Sequence, residues 1–315
     1  MSKLLEDIKK LRALTGAGLT DVKKAIEEAA GDLDKAIELI RKRGQAIAAK
    51  RGDHEAEEGC ILAAHEGDYA VMVGVKCETD FVAKNEDFIK LVSSILEVAK
   101  AKKGASKEEI LAAPLADGRS VQDHITERSG VSGEKMELGI YEFVKGAATW
   151  AYIHPGNLIA TVVAFNEPLE DQMAKNVAMQ IAAMGAETLS YKDFSPEYIA
   201  KETEARIAII EKENEELHRL GKPLKHVPQY VSYAQLTPEV LAKAEADAKA
   251  ELKAEGKPEQ IWDKILPGKI QRFISDNTTL DQEKALLDQV YIYDESKKVS
   301  DFVKSKNVEI TGFKR

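Results

Sequence analysis

The stretch CILAAHEGDYAVMVGVKCETDFVAKNEDFIKLVSSILEVAKA, residues 60–101, changes from one hydrophobic pattern to another. Its first part is a mostly apolar run interrupted at residues 66–68, which predicts two β-strands joined by a turn. Its last part, from Phe88 to Ala99, carries apolar residues at the spacing of one helix face. The stretch therefore predicts a β-hairpin followed by an amphipathic helix.

A second segment repeats this order of elements. IYEFVKGAATWAYIHPGNLIATVVAF, residues 140–165, predicts strands around a turn at HPGN, residues 154–157. The amphipathic DQMAKNVAMQIAAM, residues 171–184, follows it as a helix. We therefore expect an α+β fold with two core subdomains, each built from a hairpin and a helix.

The first 50 residues have the pattern of three short helices. TGAG at residues 15–18 should end the first helix, and Thr20 or Asp21 could cap the second. Asp32 should cap the third helix, and RKRG at residues 41–44 should end it. So small a three-helix module has little core of its own, and we expect it either to be marginally stable alone or to present part of its apolar surface to a partner.

Residues 195–256 are again helical, and they are rich in charge. Two helical runs in this part of the chain each end in Gly-Lys-Pro, which is a helix-stop signal, so we predict a protruding antiparallel helical hairpin. Strands at residues 290–293 and 307–314, with a short helix between them, should complete the fold. The predicted domains are residues 1–55, residues 56–140, and residues 141–315 with the hairpin inserted at about 195–256.

Composition restricts the class of protein. The chain has 315 residues, 44% hydrophobic and 31% charged, with a net charge of −9, which argues against coating nucleic acid or anionic membrane. A turn at residues 66–68 would place Cys60 opposite Gly74 rather than Cys77, so we expect two free thiols. The N-terminus lacks the apolar stretch of a signal peptide, and a cytoplasmic location is expected.

No motif indicates an enzyme. The six histidines and two cysteines lack metal-ligand spacing, and no phosphate-binding glycine loop is present. We therefore expect no catalytic residues, no metal, no cofactor and no direct binding of nucleotide. A catalytic site assembled from distant residues stays open at this point.

Phe81 is a large aromatic residue at the polar start of the helix after the first hairpin. If one helix continued through it, Phe81 would extend the apolar stripe of Phe88 and Val92, and Asp80 or Thr79 would cap that helix. Alternatively, Phe81 projects from an exposed strand-to-helix junction as an anchor for another protein. The pattern alone leaves both interpretations open.

Four stretches resemble the elongation factor Ts family. They are LRALTGAGLTDVKKAIEEAAGDLDKAIELIRKRG (residues 11–44), VKCETDFVAKNEDF (75–88), GKPEQIWDKILPGKIQRF (256–273) and VEITGFKR (308–315). They occur in the family's order and extend across nearly the whole chain. The resemblance implies a guanine-nucleotide exchange factor that binds the GTPase elongation factor Tu in its GDP form and releases GDP.

The resemblance also implies contact residues. In the family, the junction that matches Thr79, Asp80, Phe81 and Val82 is inserted into the GTPase near its magnesium and phosphate site. The three-helix module is of the ubiquitin-associated type, and further contacts would come from Arg12, Leu19, Thr20, His154, Pro155, Gly156 and Asn157. Without a partner, Arg12 would be a solvated helix residue, Leu19 a core residue and His154 an ordinary turn residue.

The alternative to an exchange factor is an adaptor that binds through a ubiquitin-associated-like module without exchange activity. The intact Thr-Asp-Phe-Val sequence favours exchange. Residues 225–235, at the tip of the predicted hairpin, have no counterpart that we can assign. The hairpin could also join two copies of the complex, and we expect the trailing helical module of some members to be absent after Arg315.

Overall fold

The computed structural model describes residues 3–315. These form two compact units: unit 1 holds the described residues up to Met179 and Thr311–Lys314, and unit 2 holds Gln180–Ile310 and Arg315. Helices and small antiparallel sheets occur together, which confirms the α+β class. Within the described residues, no helix is both long enough and apolar enough to cross a membrane.

The helices of the described chain are α1 (Lys3–Thr15), α2 (Leu19–Glu28), α3 (Leu33–Lys50), α4 (Asp80–Ala83), α5 (Glu86–Ala101), α6 (Lys107–Ala112), α7 (Val121–Ser132), α8 (Asp171–Met184), α9 (Pro196–Arg219), α10 (Pro238–Ala254), α11 (Trp262–Asp276), α12 (Thr279–Lys284) and α13 (Val299–Ser305). The strands are β1 (Glu58–Glu66), β2 (Tyr69–Cys77), β3 (Glu137–Lys145), β4 (Ala148–Ile153), β5 (Ala160–Phe165), β6 (Val290–Tyr291), β7 (Asp294–Lys298) and β8 (Ile310–Lys314).

The first three helices begin and end largely where local signals place them. The Asp32 carboxylate caps α3 by accepting hydrogen bonds from the amides of Asp34 and Lys35, at 3.1 and 3.2 Å. The cap predicted for α2 was wrong, because this helix begins directly after Gly18, with no side-chain cap. Thr20 and Asp21 lie inside the first turn instead.

The predicted end of α3 at Gly44 was also wrong, since this helix continues to Lys50. Gly44 is buried where α7 crosses α3. A Cβ atom built on Gly130 of α7 would lie 2.0 Å from the Gly44 Cα. The glycine at position 130 therefore allows the two helices to approach closely, and Gly44 lies inside α3 at this crossing rather than ending the helix.

The first hairpin forms as predicted, but with a register one residue away. Glu66 pairs with Tyr69 across a two-residue turn, so Cys60 lies opposite Val75 and not Gly74. A two-residue turn fixes this register, whereas the prediction assumed a turn centred on residue 67. Both cysteines are free and buried.

Strand β2 is the centre of the three-stranded sheet β1-β2-β3, and it is buried on both faces. Val71, Val73 and their alternate neighbours pack against α5 and α7. Met72 lies on the opposite face, in a cluster with Val162 of β5. Burial on both faces explains why this strand is an almost continuous apolar run instead of an alternating one.

Strands β4, β5 and β8 form a second sheet. The predicted HPGN turn joins β4 to β5, with the Asn157 amide donating to the His154 carbonyl at 3.1 Å. Strand β3 pairs with β2 of the first sheet, and the predicted boundary between residues 140 and 141 falls inside it. The domain division 1–55, 56–140 and 141–315 stays a prediction.

Unit 2 contains an antiparallel helix pair, but not the one expected. The prediction paired the two helical runs that end in Gly-Lys-Pro, which correspond to α9 and α10. In the structure, α10 packs instead against the next helix, α11. Lys269 of α11 binds Glu251 of α10 at 2.9 Å. The chain after α9 instead turns back along α9, where the Asn214 side chain bonds both the amide and the carbonyl of Lys225, at 2.7 and 2.8 Å.

The end of unit 2 also differs in detail from the prediction. Only Val290 and Tyr291 of the predicted strand 290–293 are extended, because the next two residues turn the chain into β7. The predicted short helix is present as α13.

Candidate functional site

The helical course of the chain breaks at Lys84 and Asn85, soon after Phe81. Helix α4 covers only four residues, and α5 starts anew at Glu86. The side chain of Asn85 caps α5, accepting hydrogen bonds from the amides of Asp87 and Phe88 at 3.0 and 3.3 Å. The continuous helix that would align Phe81 with Phe88 does not form.

Phe81 is 84% exposed, more than any other large apolar side chain that the structure describes. Its neighbours Val82 and Ala83 pack against the core of the first sheet. The interpretation of Phe81 as a core residue was therefore wrong. Leaving a phenylalanine in water forgoes about 1.5–3 kcal/mol of burial free energy. A fixed, fully displayed aromatic residue of this kind is typical of an anchor for a partner.

Asp80 presents a carboxylate next to Phe81. Its Oδ2 accepts a hydrogen bond from Lys84 Nζ at 2.6 Å, and this bond lowers the pKa of Asp80. The Asp80 side chain is 48% exposed.

Thr79 stands at the position that precedes α4, yet its side chain does not cap that helix. Its hydroxyl donates to Glu134 Oε1 at 2.6 Å, and its amide donates to Glu134 Oε2 at 3.1 Å. The thiol of Cys77 donates to the Thr79 carbonyl at 3.3 Å. The junction segment, which we define as residues 79–82, is thus held from its amino-terminal side.

The carboxylate of Glu78, the residue before the junction segment, also binds distant parts of the chain. Its Oε1 accepts a hydrogen bond from the Lys135 amide at 2.6 Å, which lowers the pKa of Glu78. Its Oε2 accepts from Arg51 at 3.0 Å, just beyond the end of α3. Sequence reasoning missed both glutamates, because their partners lie between 27 and 57 positions away along the chain.

The predicted residues of the three-helix module are all exposed. Arg12 lies in the last turn of α1, and Leu19 and Thr20 begin α2. Leu19 is 55% exposed, so the alternative that it is a core residue was wrong. Leu14, which the sequence analysis did not select, is 60% exposed in the same region and adds apolar surface to it.

His154, Pro155 and Gly156 are exposed at the tip of the β4–β5 hairpin, and Asn157 is half-buried. The Asn157 carbonyl accepts a hydrogen bond from the Ile61 amide of β1 at 2.8 Å, which fixes the turn to the first sheet. The neighbouring Leu158 is 65% exposed.

All the predicted contact residues belong to unit 1. Asn157 and Leu158 line a cavity of about 100 Å³ together with Glu58 and Lys76, which lie near the junction segment. Arg51 connects the end of α3 to Glu78, next to the same segment. The HPGN turn and the end of α3 thus lie near the end of β2, from which the chain continues into the junction segment.

Comparison with known proteins gives the family of this chain. The family model described as Elongation factor TS matches residues 78–227 and 225–315. Elongation factor Ts of Flavobacterium johnsoniae is 56% identical over 313 residues, which cover 98% of this chain and 97% of that protein. Elongation factor Ts of Rhodopirellula baltica is 46% identical over 315 residues, covering 98% and 96%, respectively. The chain therefore belongs to the elongation factor Ts family of translation elongation factors.

Proposed function

We propose that this protein binds elongation factor Tu in its GDP form and promotes GDP release by inserting Asp80 and Phe81 near the magnesium and phosphate site of the GTPase. One observation carries the proposal: Phe81 is 84% exposed on a junction whose adjacent residues are held by the core. Family membership supplies the partner.

The physical basis is displacement of a cation. GTPases hold Mg²⁺ with side chains and nucleotide phosphates together, so its loss leaves the phosphate charge poorly neutralised. An aromatic side chain inserted between the elements that hold Mg²⁺ would separate them. No covalent bond is made or broken in this exchange, so it needs neither a catalytic residue nor a cofactor of this chain.

One aromatic residue is insufficient to release a tightly bound nucleotide. Ordinary coupling between two sites is about 1–3 kcal/mol, and release of a tight ligand needs more. We propose that a broad interface supplies the remainder. It would include the exposed residues of the three-helix module and of the HPGN turn, which are Arg12, Leu19, Thr20, His154, Pro155, Gly156 and Asn157.

The experiment follows the release of fluorescent GDP from elongation factor Tu as this protein is added. We expect the release rate to rise with its concentration and to saturate. A chain that binds the GTPase without changing the rate would be an adaptor, and a chain that does neither would refute the proposal.

Linkage supplies an independent check. If the bound factor weakens GDP binding, GDP must weaken binding of the factor by the same ratio. We therefore expect excess GDP to dissociate the complex of this protein with nucleotide-free elongation factor Tu. A complex that is equally stable with and without GDP would contradict exchange.

Light scattering of the same complex would test whether residues 195–256 join two copies.

A further inference from the structure

We propose that Glu134 is the positioning residue that holds the junction segment and thereby sets the direction in which Phe81 projects. Glu134 lies in the loop between α7 and β3, 55 residues from Thr79 along the chain. The inference rests on the proposed function, and it adds a residue that acts on the partner only through Phe81.

The Glu134 carboxylate accepts three hydrogen bonds from the residues just before α4. Oε2 accepts the amides of Glu78 and Thr79, both at 3.1 Å, and Oε1 accepts the Thr79 hydroxyl at 2.6 Å. A carboxylate that accepts several hydrogen bonds at once fixes geometry better than a single bond does, because an ionised acceptor binds its donors more strongly than a neutral one. These two residues immediately precede Asp80 and Phe81.

Glu134 is itself fixed in place. Its carbonyl accepts a hydrogen bond from the hydroxyl of Ser129, a residue only 2% exposed, at 2.5 Å. The next residue, Lys135, donates its amide to Glu78 Oε1 at 2.6 Å. Glu134 thus accepts hydrogen bonds from the amides of residues 78 and 79, and Glu78 accepts one from the amide of Lys135. This reciprocal pair of contacts, which we call the clasp, joins the start of β3 to the end of β2.

The clasp explains why Thr79 does not cap α4. A threonine at this position usually accepts hydrogen bonds from amides of the first helical turn. Here the hydroxyl is turned towards Glu134, to which it donates, and it makes no cap bond to α4. Loss of Glu134 would free Thr79 to cap locally and would leave three donors without their acceptor. Phe81 would then sample several directions, and a displacement of about 1 Å in a functional group can cost up to about a hundredfold in rate.

The test is a double-mutant cycle on affinity for nucleotide-free elongation factor Tu. We expect Glu134→Ala to raise the dissociation constant about tenfold or more when Phe81 is present, and by less than about twofold in the Phe81→Ala background. Glu134→Gln, which keeps one acceptor oxygen, should fall between these values. The control is Glu137→Ala, which removes a nearby exposed carboxylate and should change nothing.

Amide hydrogen exchange of the free protein gives a readout that needs no partner. Glu134→Ala should accelerate exchange at the Glu78 and Thr79 amides at least about tenfold, while Glu137→Ala should not. Equal losses of affinity in both Phe81 backgrounds, or unchanged exchange at these amides, would overturn the positioning role and leave the proposed function standing. If the unaltered protein does not accelerate GDP release, the proposed function fails, and the role assigned to Glu134 fails with it.

Discussion

The carboxylate beside Phe81 depends on one lysine. Lys84 Nζ lies 2.6 Å from Asp80 Oδ2, and this hydrogen bond lowers the pKa of Asp80. We expect Lys84→Ala to raise that pKa towards its ordinary value, as measured by carboxyl ¹³C titration. The melting temperature at neutral pH should hardly change, because exposed ion pairs contribute little. An unchanged Asp80 pKa in the variant would contradict the assigned cause.

The pKa of Asp281 is raised, whereas that of Asp80 is lowered. Burial raises its pKa from 3.8 to about 6, although its Oδ2 accepts the Tyr233 amide at 2.6 Å. The folded chain then binds this proton more tightly than the unfolded chain does, so its contribution to stability is present at low pH. That contribution is lost as pH rises from about 4 to about 6, by about 2–3 kcal/mol.

The corresponding variant is Asp281→Asn. Urea unfolding of both proteins should show the stability of the wild type, relative to the variant, falling across this pH range. The exposed Asp276 of α11 offers a control for the loss of one carboxylate, through the variant Asp276→Asn. A difference that stays constant from pH 4 to pH 7.5 would show that Asp281 is not perturbed.

At the scale of elements, the crossing of α3 and α7 depends on two glycines that are not equivalent. A Cβ atom on Gly130 would lie 2.0 Å from the Gly44 Cα, whereas one on Gly44 would lie 3.4 Å from the Gly130 Cα. Both positions are helical, so an alanine gains a similar helix propensity at each. The difference between the two substitutions therefore measures packing alone.

We expect Gly130→Ala to lower the free energy of unfolding by about 1–3 kcal/mol, as overpacking does. Gly44→Ala should be nearly neutral, because its contact is only slightly tighter than van der Waals distance. Urea denaturation of both variants checks this. Equal effects at the two positions would mean that the helices separate easily at the crossing.

At the scale of the whole molecule, each compact unit contains one tryptophan, whose fluorescence reports the unfolding of that unit. Trp150 lies in unit 1 and Trp262 in unit 2. Unit 1 also holds both cysteines, and burial raises the pKa of Cys60 to about 11 and that of Cys77 to about 12. A buried, protonated thiol reacts only when its surroundings open.

We therefore expect labelling of the two thiols by a thiol reagent to follow the unfolding of unit 1. In urea, its midpoint should coincide with the Trp150 fluorescence transition of a Trp262→Phe variant. A Trp150→Phe variant reports unit 2 for comparison. Labelling that is complete well before the Trp150 transition would show that the first sheet opens locally.

Local signals predicted the elements of this fold better than their contacts. Asp32 could be recognised as a cap because its partners lie two and three residues away. Gly44 resembles a helix stop in the sequence, yet α3 continues through it, at the place where Gly130 of α7 approaches. The α+β class followed from periodicity, but the pairing of α10 with α11 depended on packing that periodicity does not contain.

The same limit applies to the candidate site. The resemblance selected Phe81, and the pattern left its exposure undecided because Asn85 was not recognised as a second helix cap. Glu134 carried no signal, since its three donors come from a segment more than 50 residues earlier. Contacts of that kind become visible only when the chain is folded.

Two alanine variants test whether Phe81 acts on elongation factor Tu. Leu220→Ala is the control, because Leu220 is also a large exposed apolar residue, 61% exposed, but it lies in unit 2. At saturating factor, Phe81→Ala should slow the release of fluorescent GDP about thirtyfold, as expected for an anchor worth about 2 kcal/mol. Leu220→Ala should release GDP as fast as the unaltered protein. Release that is equally fast with Phe81→Ala would show that exchange does not depend on Phe81.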